Sequence, residues 1–150
     1  MKTPVMNPDF KVENAKHILD FITAGKAIFT IESARTGKWF TYKVIAPKEQ
    51  NPSKPVFWVK LMTGTDNQTS YSYLGTIFSK EFKLTKKSKI TSDALGYKAV
   101  DFFFRNIFAG KSHEEINFYH MGICGRCGRP LTTPESVSRG IGPICAGIHN

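Results

Sequence analysis

The three cysteines of this 150-residue chain all lie within its last thirty residues, in the pattern C-x2-C-x17-C. Cys124 and Cys127 are separated by two residues, and one residue separates Cys145 from a preceding Gly-Pro pair. Two thiolates at this spacing can hold Zn²⁺ from one tight turn, and a structural zinc ion takes four ligands in a tetrahedron. Gly125 and Gly128 suit such a turn, because a backbone that folds around a metal often needs positive φ angles. The pattern therefore predicts a zinc site that includes all three cysteines.

The fourth ligand is open between two histidines. Pro143 predicts that Cys145 lies in the first turn of a helix, the arrangement of small treble-clef-like zinc modules. On that helix His149, four residues further on, shares the face of Cys145, although it is the penultimate residue and chain ends often fray. His120 precedes Cys124 by the same spacing and follows an apolar segment that we expect to be ordered.

Other chemistries of these cysteines are disfavoured. A redox-active C-x2-C pair needs a βαβ context, which the surrounding sequence lacks. A disulfide fits poorly with an odd cysteine count and no secretory signal. A catalytic zinc keeps one coordination position open, whereas three cysteines and a histidine close the shell. Because the zinc-deaminase signature, a catalytic triad spacing and a phosphate-binding glycine loop are also missing, we expect a structural site, and the sequence leans against an enzyme without deciding the question.

A longer motif contains the cysteine pattern. It runs His120-x-Gly-x-Cys124-Gly-Arg-Cys127-Gly-Arg-x-Leu131-Thr-x-Pro134-Glu-Ser-Val-x-x-Gly140-x-Gly142-Pro-x-Cys145-Ala. This motif resembles an uncharacterised zinc-binding-type domain common in proteins of bacteriophages and mobile elements. Upstream segments, such as Thr36-Gly-x-x-Phe40-Thr-Tyr, are similar to longer phage proteins that end in the same module. The resemblance implies a phage or prophage source and favours His120 as the fourth ligand, but it implies no activity.

Composition limits the partners and the location. At 41% hydrophobic residues, the chain can form one core and a small metal-stabilised appendage. No apolar run approaches the roughly 20 residues needed to span a bilayer, and the N-terminus has no signal-peptide pattern. We therefore expect a cytoplasmic protein, in a bacterial host if it is phage-encoded, with no membrane partner. The formal charge of +9 favours polyanionic partners such as nucleic acid.

Hydrophobic periodicity predicts an α+β fold. Helices are predicted for 14–23 and from Ser92 or Asp93 to Ala109, and strands for 27–33, 39–45, 56–62, 71–78 and a short 82–85. Short loops between consecutive strands indicate an antiparallel four- or five-stranded meander with one packing helix. The predicted organisation is a flexible tail (1–10), an α+β body (11–112) and a treble-clef-like zinc-binding module (113–150), with 111–119 as the link.

Two groups of side chains predict contact with nucleic acid. The segment 80–89 holds five lysines in ten residues, among them Lys83, Lys86, Lys87 and Lys89. Lysines of this kind can neutralise phosphates, although they equally protect an edge strand from pairing with other chains. Strand alternation places Trp39 with Lys43, and Trp58 with Lys60, on the sheet face that the packing helix does not cover. Such a face suits stacked bases and phosphates, unless the N-terminal helix or the zinc module buries it.

Arginines next to the cysteines extend this prediction. Zinc knuckles often present basic side chains to nucleic acid, and Arg126, Arg129 and Arg139 flank the predicted zinc site. The sequence thus predicts a small phage-type accessory protein that binds single-stranded DNA or RNA without chemistry of its own. The alternative is a protein-interaction module or an inhibitor of a host factor, such as a component of host defence. An enzyme with an unrecognised site ranks third.

Overall fold

The computed structural model describes residues 7–49, 53, 55–63, 71–88, 90–112, 114–131 and 133–142. Cys145, His149 and Lys89, to which the sequence assigns roles, lie outside these residues, as does the 1–6 part of the predicted tail.

The described chain contains three α-helices and six β-strands. The helices are α1 (Ala15–Ile22), α2 (Leu95–Phe108) and α3 (Pro134–Arg139), and a 3-10 turn, Pro8–Phe10, precedes them. The strands are β1 (Lys26–Ser33), β2 (Trp39–Ile45), β3 (Val56–Met62), β4 (Tyr71–Phe78), β5 (Glu81–Lys83) and β6 (Ile116–His120). None of the described helices is long and apolar enough to cross a membrane.

All six strands form one antiparallel sheet in the order β5-β4-β3-β2-β1-β6. The first five strands follow one another as a meander, so the predicted α+β class and antiparallel arrangement are confirmed. The prediction of four or five strands was wrong, because β6 pairs with the outer edge of β1. That edge would otherwise expose unpaired backbone N–H and C=O groups.

Strand β6 lies on the module side of the predicted boundary between body and module. Its residues were assigned to the link and the zinc-binding module, yet they complete the sheet of the α+β body. The N-terminal segment lies against the same strand, since the Val12 N–H donates to the Phe118 C=O over 2.9 Å and Lys11 forms a β-bridge with Tyr119. Residues 7–10 of the predicted tail are thus held beside β6, where the Phe10 ring stacks on His120 at 5.0 Å between centroids.

Helices α1 and α2 pack on the same face of the sheet. Asn14 caps α1 by accepting from the His17 N–H over 3.1 Å, as predicted. Helix α2 begins later than predicted, since the Asp93 carboxylate accepts from the Thr91 hydroxyl and α2 has no side-chain cap. The predicted apolar stripe of α2 faces the sheet, with Val100, Phe103, Phe104 and Ile107 buried.

The core lies between this stripe and the covered face of the sheet. Phe103 contacts the rings of Phe29 and Phe118, with centroids 5.8 and 5.6 Å apart, and Phe118 also meets Phe21 of α1. The buried Tyr42 hydroxyl donates to the Gly96 C=O of α2 over 2.7 Å. We call the opposite surface of the sheet the open face.

Candidate functional site

A tight hairpin places two predicted metal ligands in one turn. We call residues 122–131 the knuckle; it is closed by a β-bridge between Ile123 and Pro130. The Cys124 N–H donates to the Arg129 C=O over 2.8 Å, and the Gly128 N–H donates to the Cys124 C=O over 2.9 Å. Gly128 has φ +78°, the left-handed conformation that glycine adopts at least cost. Cys124 and Cys127 therefore share one turn, as their spacing predicts.

The sulfur of Cys124 is surrounded by backbone donors. The N–H groups of Gly142, Arg126 and Cys127 point at Sγ over 3.3, 3.4 and 3.5 Å. Burial raises the pKa of the Cys124 thiol. The three N–H groups and a hydrogen bond with the Cys127 side chain lower the pKa by more than burial raises it, so that it is about 7. The site thus stabilises a thiolate, the form of cysteine that binds metal. Cys124 is buried, Cys127 is exposed, and neither is in a disulfide.

His120 is held by backbone groups on both sides of its ring. Nδ1 accepts from the Gly122 N–H over 2.9 Å, and Nε2 lies within hydrogen-bond distance of the Val137 C=O in α3. Because a neutral imidazole has one donor and one acceptor, these contacts assign the proton to Nε2 and use both nitrogens. Burial lowers the pKa of His120, and the Val137 carbonyl offsets part of this shift.

The structure does not bring His120 together with the two cysteines. Among the described residues, no group of three or more histidine, cysteine or acidic side chains could hold a metal ion. To bind a metal, His120 would have to give up the Gly122 N–H at Nδ1 or the proton that Nε2 directs at Val137. Its described contacts are those of a buried structural histidine.

The knuckle packs closely on α1 through glycines. A Cβ at Gly125 would lie 2.7 Å from the Phe21 ring, and a Cβ at Gly140 would lie 2.5 Å from it. The sequence suggested a positive φ for Gly125, but its φ is not positive. Glycine is needed there because a side chain would collide with Phe21. The Gly125 N–H also donates to the Gly140 C=O over 2.8 Å. These contacts join the knuckle, α1 and the end of α3.

The open face carries an exposed tryptophan between lysines. Trp58 is 42% exposed at the centre of a row of directly paired residues, which we call the Trp58 row. From β1 to β5 the row consists of Lys26, Ile45, Trp58, Thr76 and Lys83. Lys60 lies two residues from Trp58 on the same face, directly opposite Lys43 of β2. The Lys43 ammonium lies 4.4 Å from the centroid of the Tyr71 ring.

The remaining residues predicted for nucleic-acid contact are more scattered. Trp39 pairs with Glu32 of β1. Because Trp39 is six residues from Ile45 along β2, it lies about 20 Å from the Trp58 row. Glu32 accepts from the side chains of Asn117 and Tyr119, so Trp39 lies in a less basic part of the face. Lys86 and Lys87 are exposed in the turn after β5, and Arg126 and Arg129 are exposed on the knuckle. Lys83, at the edge of the sheet, pairs with Glu81 over 3.2 Å.

Comparison with known proteins gives a match over the C-terminal part of the chain. Residues 118–150 are similar to a family of unknown function (DUF6011). The matched segment contains the end of β6, the knuckle and all three cysteines, so it agrees with the resemblance of this motif to an uncharacterised family. No curated protein and no solved structure matches the chain.

Proposed function

We propose that this protein binds single-stranded nucleic acid on the open face of its sheet and performs no chemistry of its own. The observation that carries the proposal is the exposed Trp58 ring, with Lys60 two residues away on its own strand and with Lys26 and Lys83 two strands away on either side. An exposed aromatic ring can stack on a base of any sequence, and each such contact contributes about 1–3 kcal/mol. Lysines beside it neutralise phosphates and release counterions.

The pairing of Lys43 with Lys60 supports an anionic ligand. Like charges directly opposite each other on antiparallel strands destabilise a sheet. A phosphate placed over the two ammonium groups would turn this repulsion into attraction. The net charge of +9 adds a long-range field that attracts a polyanion.

A structural zinc ion is the second part of the proposal. The described cysteines fit it, because the knuckle presents two sulfurs in one turn and stabilises Cys124 as a thiolate. Cys145 would supply the third ligand. The contacts of His120 to Gly122 and Val137 favour His149 as the fourth, although the resemblance favoured His120. Bound zinc would contribute folding free energy and hold the C-terminal residues on the knuckle.

Fluorescence anisotropy with a labelled oligothymidylate, titrated at several salt concentrations, tests the function. We expect low-salt binding that weakens linearly in log K against log salt concentration. Trp58→Ala should lose about 1–3 kcal/mol of binding free energy. Phe102→Ala is the matched control, because Phe102 is 45% exposed on α2, away from the open face. Equal affinities for the two variants would contradict stacking on Trp58.

A groove beside α2 supports a second candidate function, the binding of a host protein. Leu95 and Phe102 are 58% and 45% exposed on α2, and they line a cavity of about 570 Å³ together with Phe40 and Ile116. An exposed apolar surface of this kind is typical of protein-binding sites. Host protein recovered from nuclease-treated lysate by the wild type but not by Phe102→Ala would favour this function, especially if oligonucleotides do not bind.

A further inference from the structure

A second exposed aromatic ring lies beside Trp58 on the open face. Phe78, the last residue of β4, is 46% exposed, and Trp58 of the adjacent strand β3 is 42% exposed. The residues that precede them in the chain, Phe57 and Ile77, are buried in the core. Because successive side chains of a strand point to opposite faces, Trp58 and Phe78 both point away from the helices.

The strand register places the two rings next to each other. Thr76 lies directly opposite Trp58, and Phe78 lies directly opposite Val56. Trp58 and Phe78 are therefore diagonal neighbours on an antiparallel pair of strands. Such neighbours lie roughly 7–8 Å apart, which is within reach of aromatic side chains.

A tight turn holds Phe78 in this register. Phe78 pairs with Glu81 of β5, and the two residues between them, Ser79 and Lys80, have φ angles of 53° and 62°. Two consecutive positive φ angles are typical of the two-residue turns whose twist matches that of the strands they join. The turn thus fixes the position of Phe78 relative to Trp58.

Two adjacent exposed rings can hold two bases. Every base has a π face, so stacking on an aromatic side chain needs no particular sequence. In β-sheets that bind single-stranded RNA, aromatic side chains commonly stack two or three bases. Trp58 alone offers a place for one base, whereas Trp58 and Phe78 offer places for two neighbouring ones.

The charges around the two rings favour a polyanion. Lys60 follows Trp58 by two residues and Lys80 follows Phe78 by two, and because the strands are antiparallel these lysines lie at opposite ends of the pair of rings. The one carboxylate in the paired rows next to the rings, Glu81, pairs with Lys83 over 3.2 Å. A second copy of the chain on this surface would bring like charges together, which costs binding free energy.

We infer that Trp58 and Phe78 form a two-base platform, on which two consecutive bases of a single strand stack, one on each ring. The inference rests on the proposed function and adds Phe78, to which the sequence assigned no role, as a second binding residue. Lys60 and Lys80 contact the phosphates at the two ends of the platform.

The test is fluorescence anisotropy of the full-length chain with labelled oligothymidylate of about ten nucleotides. Phe78→Ala should bind roughly 5- to 150-fold more weakly than wild type, because one stacked base is lost. Phe78→Leu should bind as weakly as Phe78→Ala, since it keeps apolar surface but no ring, whereas Phe78→Tyr should bind like wild type. The salt slope should not change, because no charge is removed.

Two further variants complete the test. Phe102→Ala is the matched control, because Phe102 is 45% exposed on α2, and it should bind like wild type. The double variant with Trp58→Ala and Phe78→Ala should lose about the product of the two single effects, since each ring holds its own base. Urea denaturation checks that each variant is folded.

The outcomes separate this inference from the function on which it rests. If Phe78→Ala or Phe78→Leu binds like Phe102→Ala while Trp58→Ala still weakens binding, the platform is wrong and the proposed function stands. A double variant that binds no more weakly than Trp58→Ala would also overturn it, because Phe78 would then only position Trp58. If wild type binds no oligothymidylate, both fail. Dimerisation of wild type that Phe78→Ala abolishes would assign the rings to a second copy of the chain and overturn the platform.

Discussion

The N–H of Gly142 donates to Sγ of Cys124 over 3.3 Å, and so joins the knuckle to the segment that leads to Cys145. This bond stabilises the same charge on sulfur that a zinc ion would stabilise. It also places the chain just before the third cysteine next to the first one. The spacing C-x2-C-x17-C is therefore compatible with one site, because Gly142, 18 residues after Cys124, returns to the same sulfur.

Loss of either knuckle cysteine should remove the metal. Purified wild type should hold about one zinc per chain, since a structural site takes a single tetrahedral ion. Cys124→Ser and Cys127→Ser should lose it and lower the melting temperature, because binding free energy is folding free energy for such modules. Elemental analysis and thermal melting measure both effects. The control is Arg129→Gln, which changes an exposed residue of the same knuckle and should retain zinc. Wild-type protein that contains no metal when purified without chelator would refute the zinc site.

We expect His120 to stabilise the fold and His149 to bind zinc. His120→Ala should cost about 2–4 kcal/mol of unfolding free energy, since it leaves a cavity and unpairs the Gly122 N–H and Val137 C=O. It should still bind zinc. His149→Ala should instead lose zinc on dialysis against a weak chelator. Urea unfolding and metal analysis of both variants distinguish the roles, and loss of zinc from His120→Ala alone would restore His120 as the ligand.

The free-energy cost of adding a side chain at Gly140, next to Phe21, can be compared with the cost at Gly37, a glycine of similar φ. Gly140 and Gly37 have nearly the same φ, +76° and +75°, but a Cβ at Gly140 meets Phe21 whereas nothing lies within 4 Å of one at Gly37. Gly37→Ala should cost about 1 kcal/mol for its backbone conformation. Gly140→Ala should cost a further 1–3 kcal/mol or so for overpacking. Equal unfolding free energies by urea denaturation would show that α1 and the end of α3 do not pack as described.

How far the sequence predicts the fold depends on the range of the interactions. Periodicity alone places α1 and the five strands of the meander, since each strand pairs with its neighbour in the chain. Strand β6 was missed because its partner, β1, lies far away in the sequence. Pairing with the otherwise unpaired edge of β1 accounts for the strand at Ile116–His120.

The same distinction applies to the candidate sites. The spacing of Cys124 and Cys127 is a local signal, and the structure places both in one turn. The contacts of His120 depend on α3, which no sequence pattern brought to it. Likewise, a cavity between α1, the knuckle and the end of α3 is lined by Lys16 and Arg139 from opposite ends of the chain, so composition indicated a basic protein but not this arrangement.

The buried Tyr42 should make stability depend on alkaline pH. Burial raises the pKa of Tyr42 well above the usual value of about 10, so the native state keeps its proton where the unfolded chain loses it. Its contribution is therefore complete below about pH 10 and is lost as pH rises further, by up to roughly 1.4 kcal/mol per pH unit. Tyr42→Phe should unfold with a shallower pH dependence above pH 10. It should also be less stable at neutral pH by about 1–2 kcal/mol, because the Gly96 C=O loses its donor. An unchanged alkaline slope would contradict the burial of this hydroxyl.

Lys60 should lower the unfolding free energy of the protein and strengthen its binding to nucleic acid. It lies directly opposite Lys43, and like charges in that position cost roughly 0.2–1 kcal/mol. Lys60→Gln should therefore raise the unfolding free energy by a few tenths of a kcal/mol, since it removes that repulsion. The same change should weaken oligothymidylate binding and reduce the salt slope by about 0.7, because one fewer phosphate is neutralised.

Lys98→Gln on α2 provides the control, as an exposed lysine away from the open face, and should alter neither quantity. Urea denaturation and anisotropy titrations measure the two effects independently. A Lys60→Gln variant that binds as tightly as wild type, with the same salt slope, would exclude a phosphate between these two strands.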